Sequence, residues 1–79
     1  MYVLTVANNP VRFQRIAEAA RECLRGSPYG ALAWILCECD EGVLLLRGHL
    51  SSFYLKQHAQ EAVAGVEGVT QVVNEIDVD

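Results

Sequence analysis

The stretch EGVLLLRGHLSSFYLKQHAQEAVAGVEGVTQVVNEIDVD, residues 41–79, decides the fold. Val43 to Leu50 alternates as a strand does. Leu44, Leu46, Gly48 and Leu50 fall on one face, and Val43, Leu45, Arg47 and His49 on the other. The period then changes. Leu55, Ala59, Ala62, Val63 and Val66 recur at the spacing of one helical stripe, with Ser51 and Ser52 as candidate caps ahead of it and Gly65 and Gly68 closing it. A second alternating run follows, with Val72, Asn74, Ile76 and Val78 on one side and Gln71, Val73, Glu75 and Asp77 on the other. A hydrophobic period of about 2, then 3.6, then 2 spells one strand–helix–strand crossover.

Upstream, Asp40-Glu41-Gly42 is a hairpin turn signal. The run before it, Ala31 to Asp40, alternates as a partner strand, with Ala33, Ile35, Cys37 and Cys39 on one face and Leu32, Trp34, Leu36 and Glu38 on the other. Further back, Phe13, Ile16, Ala17, Ala20 and Leu24 mark the buried face of a first helix, begun at Asn8-Asn9-Pro10 and ended at Gly26 with Pro28 beyond. Cys23 falls beside that face and is expected to be a small buried hydrophobe. Tyr2 to Ala7 is rich in β-branched residues and predicts an added strand, at a sheet edge or lent to a second copy. The sum is one α+β domain over residues 1–79: an N-terminal extension (1–8), then an αββαβ core (9–79). Its three-stranded sheet carries both helices on one face, because one layer must cover the apolar stripe and the crossover is right-handed.

Seventy-nine residues support one small core, and the hydrophobic fraction of 52% is more than a two-layer fold of this size can hide. Apolar surface is therefore expected to stay exposed or to meet a partner. The net charge of -4 argues against nucleic acid, whose binders carry basic patches. Four of the six basic residues lie in the first helix, where Arg12, Arg15 and Arg21 are the candidates for a lipid-facing surface, although their angular positions spread around it. Three cysteines, an odd number, are read as reduced thiols. With no basic leader and cleavage site at the start, the expected setting is cytoplasmic, and periplasmic only if the chain is a trimmed fragment.

The ordered set Glu41-Gly42, Leu44, Leu46 and Gly48, then Lys56, Ala59 and Ala62, then Gly68-Val69 and Val72-Val73-Asn74 with Ile76 and Val78, resembles the BON domain, a small bacterial module. The likeness is close over Glu41–Asp79 and general over Val11–Asp40. It implies a non-enzymatic binding module of envelope or osmotic-stress proteins, with phospholipid or membrane interaction most often proposed and protein–protein contact as the other suggestion. Gly42, Gly48, Gly68 and Asn74 are the structural marks of that pattern. Three of them have a physical reading: positive φ in a tight turn for Gly42, close backbone approach at Gly48, and an inward Asn74 amide bonded to a loop backbone.

No catalytic constellation is expected. Cys37-x-Cys39 lies on the helix-facing side while His49 lies on the opposite face, and no C-x-x-C spacing exists, so neither a metal nor a cofactor is expected. Cys23 sits at the wrong end of a helix for thiolate stabilisation. Glu38, Asp40 and Glu41 cluster at a turn tip without a cleft. Gly65-Val66-Glu67-Gly68 follows a helix instead of preceding one, so it is no phosphate loop. What stands out is the sheet face turned away from the helices, which collects Leu32, Trp34, Leu36, Val43, Leu45, Arg47 and Val73. A patch of this kind marks a partner site, with Trp34 as its expected anchor. Two functions remain in view: phospholipid binding, as the resemblance implies, and self-association into a homo-oligomer or contact with another protein through this face.

Overall fold

A computed structural model describes residues 10–79. The expected strand at Tyr2–Ala7 and the Asn8-Asn9 cap lie outside the described residues. The element order is α1 (Pro10–Arg25), a 3-10 helix (Gly30–Trp34), β1 (Leu36–Asp40), β2 (Val43–Leu50), α2 (Phe53–Ala64) and β3 (Gln71–Val78). The sheet order is β1-β2-β3, with β1 antiparallel and β3 parallel to the central β2.

The hairpin closes in two residues. Asp40 pairs with Val43, and the residues between them, Glu41 and Gly42, sit at φ 52° and 83°. Two consecutive positive φ values match the right-handed twist of the flanking strands, and glycine tolerates the second at no steric cost. Thr70, just before β3, ties the turn down by donating its N–H (2.8 Å) and its hydroxyl (3.2 Å) to the Gly42 carbonyl. Ser52 caps α2 by accepting the Leu55 N–H at 3.1 Å.

One core lies between the layers. Ala20 and Leu24 of α1 and Ala59 and Val63 of α2 meet Cys37, Leu44, Leu46, Leu50 and Ile76 of the sheet. All the sheet residues in that set come from one face, so both helices cover the same side. Burying each leucine stabilises by about 1.5–3 kcal/mol. Gly48, at φ 150°, lets the chain entering β1 pass close by: a Cβ there would stand 2.8 Å from Ile35 Cδ1. Asn74 points inward as expected, but its amide meets α2 and not a loop. Its Nδ2 donates to the Lys56 carbonyl (3.1 Å) and to Gln60 Oε1 (3.3 Å), while its Oδ1 accepts the Ile76 N–H (3.2 Å).

Two expectations fail. Ala31–Trp34 is not strand: Leu32 N–H donates to the Tyr29 carbonyl at 3.0 Å and Ile35 N–H to the Leu32 carbonyl at 3.2 Å, so the chain winds with a three-residue repeat. That repeat turns Leu32 into the core, where it is fully buried, and takes it off the open face. Cys23 is exposed, not buried, because the helix turns it past the core stripe of Ala20 and Leu24. It opens instead onto a groove with Pro28, Tyr29, His58 and Ala62.

Candidate functional site

Strand alternation and register together build the open face. On β1 they turn out Leu36, Glu38 and Asp40; on β2, Val43, Leu45, Arg47 and His49; on β3, Gln71, Val73, Glu75 and Asp77. The ladder sets these in rows across the sheet. Glu38, Leu45 and Val73 share one row, and Leu36, Arg47 and Glu75 the next. Val43, Leu45 and Val73 are partly buried by their neighbours. Leu36 is 67% exposed and Trp34, which enters β1 from the 3-10 helix, 83%.

The charges on this face are organised. Arg47 Nε lies 3.3 Å from Glu75 Oε1 across the ladder, and His49 Nε2 lies 2.7 Å from Asp79 Oδ1. Glu38, Asp40 and Asp77 add three further carboxylates to the exposed side. The face is thus an apolar stripe with an acidic margin.

The three candidate arginines of α1, Arg12, Arg15 and Arg21, do not form one surface. Arg12 and Arg15 are exposed and line a groove of about 430 Å3 with Ile16, Val66, Glu67 and Gly68. Arg21 is partly buried and donates to the Cys37 carbonyl at 2.9 Å, which ties it to the edge of the sheet. Cys37 lies beneath it, and burial pushes its thiol up while the Arg21 charge pulls the other way. That environment suits an inert structural thiol. Among the described residues no three His, Cys, Asp or Glu side chains converge as a metal site. No described helix is long and apolar enough to cross a membrane.

Sequence reasoning missed an aromatic cluster at the helix end of the molecule. Tyr54 and His58 lie one helical turn apart on α2, with ring centroids 4.4 Å apart, and Tyr29 packs on both at 5.8 and 4.8 Å. The Tyr29 and Tyr54 hydroxyls bond at 2.9 Å, and this bond, with burial, raises the Tyr29 phenol above its ordinary value. The i, i+4 spacing of Tyr54 and His58 was the available signal. Phe53 and Tyr54 are 74% and 60% exposed at the start of α2, beside the end of β2.

A family model for the BON domain matches residues 35–79, more than half of the 79-residue chain, taking in all three strands and α2. No curated protein matches the chain.

Proposed function

Because the chain belongs to the BON domain family, whose members are small non-catalytic binding modules, we propose that it acts by self-association through the open face of its sheet. The observation that carries this reading is the pair Trp34 and Leu36, 83% and 67% exposed beside the partly buried Val43, Leu45 and Val73. Leaving that much apolar surface in water is unfavourable, and a two-fold partner presents the same patch in return. The acidic margin and the net charge of -4 disfavour anionic headgroups on this face.

The test is sedimentation velocity across a range of protein concentrations, on the unmodified chain and on Trp34→Asp, with circular dichroism to check the fold. A reversible dimer or larger species lost in the variant, with helix and strand signals intact, supports the reading. A monomer at every concentration overturns it.

A phospholipid role is the second reading. It is favoured by the exposed Tyr54 and Trp34, since aromatic side chains with a polar tip suit a membrane interface, and by the exposed apolar ring of Phe53 at the start of α2. Arg12 and Arg15 are the basic residues such a surface would recruit. Vesicle flotation with neutral and anionic phospholipid, at low and physiological salt, separates the two: flotation of the monomer supports lipid binding, and its absence in every condition removes it.

A further inference from the structure

The two edges of the sheet are finished differently. β1 has five residues, and Arg21 of α1 already engages its Cys37 carbonyl at 2.9 Å. β3 has eight, and its ladder with β2 runs unbroken from Gln71 to Val78, with neither proline nor lysine in it. Short strands, bulges, lysine and proline are the usual means of blunting an edge, and β3 carries none of them. Among the described residues it is paired on one side only, with β2. Gln71 N–H donates to the Gly42 carbonyl (3.4 Å) and Asp79 N–H to the Leu50 carbonyl (3.2 Å), so the odd-numbered residues bond toward β2. Backbone groups alternate along a strand, so the N–H and C=O groups of Val72, Asn74, Ile76 and Val78 point to the other side. One of them, the Ile76 N–H, is held at 3.2 Å by Asn74 Oδ1.

The helix layer leaves room beside this edge. α1 packs on β1, and α2 on both β2 and β3, so α2 is set back from the outer side of β3. Phe53, Lys56, Gln57, Gln60 and Glu61 recur at the spacing of one helical stripe and line a groove of about 380 Å3 with Asn74. Neighbouring strands lie roughly 4.8 Å apart and packed helices roughly 8–10 Å apart. A second β3 added to this edge by a two-fold axis therefore carries its own α2 to packing distance across the groove.

The groove is complementary to itself under that rotation. Asn74 marks its middle, where the amide donates to the Lys56 carbonyl and to Gln60 Oε1. Lys56 and Glu61 lie on either side of this point along α2. A two-fold axis between two Asn74 residues reverses the second helix, and so turns Lys56 of each copy toward Glu61 of the other. Among the described residues no ion pair engages Lys56, and Glu61 accepts an amide bond from Gln57 at 3.3 Å. The outer face agrees with the same axis. It sets Val73 opposite Glu75 and Gln71 opposite Asp77, so no two carboxylates stand directly opposed. Sliding the second strand until Asn74 meets Ile76 would oppose Glu75 to Glu75, which is unfavourable.

We propose that two copies of this chain join β3 to β3 across a two-fold axis at Asn74, as antiparallel neighbours in one six-stranded sheet, with the two α2 helices packed antiparallel above the seam. Asn74 then pairs with Asn74, and Val72 with Ile76, whose N–H passes from the Asn74 side chain to the Val72 carbonyl of the second copy. Main-chain bonds supply the affinity, and the Lys56–Glu61 contacts fix the register. This inference stands apart from the open-face reading, because it concerns the edge and not the face. Where both contacts form, the faces join edge-paired dimers into larger species.

Amide exchange by nuclear magnetic resonance tests it on the full chain, unmodified and as Trp34→Asp, over a dilution series. The Val72 and Asn74 amides are expected to exchange about tenfold more slowly, or slower still, as concentration rises, in both proteins. Val73 and Glu75, bonded into the β2–β3 ladder, serve as controls that stay protected throughout. Fast exchange of Val72 and Asn74 at every concentration overturns the proposal. Protection that is independent of concentration overturns it too, since the edge is then closed within one chain. So does protection that disappears in Trp34→Asp while the control amides hold. Charge exchange tests the axis in the Trp34→Asp background, with circular dichroism to check the fold. By sedimentation velocity Lys56→Glu is expected to weaken the dimer roughly tenfold, since the contact occurs twice, and Lys56→Glu combined with Glu61→Lys to restore it. No loss in the single variant, or a loss that the pair fails to restore, overturns the axis at Asn74. An edge dimer in Trp34→Asp with nothing larger in the unmodified chain overturns the open-face reading alone.

Discussion

The two faces of the sheet are made from the same three strands, yet they follow different rules. On the inner face Cys37, Leu44, Leu46, Leu50 and Ile76 are each at most 4% exposed and share one core cluster with residues of both helices. On the outer face leucine and valine recur almost as often, but no described element covers them. Every residue boundary along β2 crosses from one regime to the other. The difference teaches that hydrophobicity alone does not locate the core in this chain. The helices do, by choosing which half of an apolar strand they cover.

The sharpest break of that contrast is a pair of neighbours. Leu46, fully buried, and Leu45, partly buried on the open face, are adjacent in sequence. Leu46→Ala is expected to cost about 2–5 kcal/mol through lost burial and a residual cavity, whereas Leu45→Ala is expected to cost about 1 kcal/mol or less. Urea unfolding of the two variants, monitored by circular dichroism at low protein concentration, gives both values. Equal losses would mean that the open face is packed in solution as firmly as the core.

Asn74 tests the same contrast with a polar group. It occupies an inner-face position, where its amide bonds the Lys56 carbonyl, Gln60 and the Ile76 N–H. Asn74→Ala should cost about 1–2 kcal/mol, because three partners lose their bonds at once. Gln71→Ala, one residue type away on the outer face of the same strand, should cost a few tenths. A null effect at Asn74 would show that water replaces the amide without loss.

These contrasts were legible where glycine or serine bounds each element. In residues 43–78 the alternation and the helical stripe matched both observed strands, the observed helix and the side each residue faces. The stretch from Tyr29 to Ile35 was not legible by alternation, since Leu32 and Trp34 satisfy period 2 while Tyr29, Leu32 and Ile35 satisfy period 3. Only the second is the 3-10 repeat that was found. That confusion placed Leu32 on the open face. Cys23 was misplaced for a related reason: it stands at the margin of a helical stripe, where a change of some tens of degrees decides between core and solvent. The Tyr29–Tyr54–His58 cluster joins residues distant in the chain, and only its Tyr54–His58 half has a local spacing to notice. The strand order followed from no pattern in the sequence, because either neighbour of β2 would satisfy the same alternation.

The thiols extend the contrast from energy to reactivity and pH. Cys37 is 4% exposed on the inner face, whereas Cys23 is exposed. Alkylation of the native protein with iodoacetamide should therefore label Cys23 rapidly and Cys37 only through opening of the fold. Burial raises the Cys37 thiol above its ordinary value in the folded state. The unfolded chain then loses this proton first as pH rises, so native stability contributed by the site is complete below the ordinary thiol range and falls away above it. Unfolding free energies measured from neutral to alkaline pH should show this decline in the unmodified protein, and a shallower one in Cys37→Ala. Identical slopes would mean that another group governs the alkaline limb.

The smallest expected effect is the most informative about the open face. Arg47 and Glu75 pair at 3.3 Å with their side chains 59% and 53% exposed. An ion pair so open to water contributes about 0–1 kcal/mol, and salt screens it further. A double-mutant cycle with Arg47→Gln and Glu75→Gln, run on dilute monomer, should return a coupling of a few tenths of a kcal/mol that vanishes at high salt. The same cycle run where the chain self-associates should return a different value. A second copy over the face removes water from the pair, so each single substitution then leaves a charge desolvated without its partner, and the measured coupling rises. A coupling that stays small and salt-sensitive at every concentration would place the pair outside any interface. The contact between open faces would then have to lie along Trp34 and Leu36 alone, at the β1 margin of the sheet.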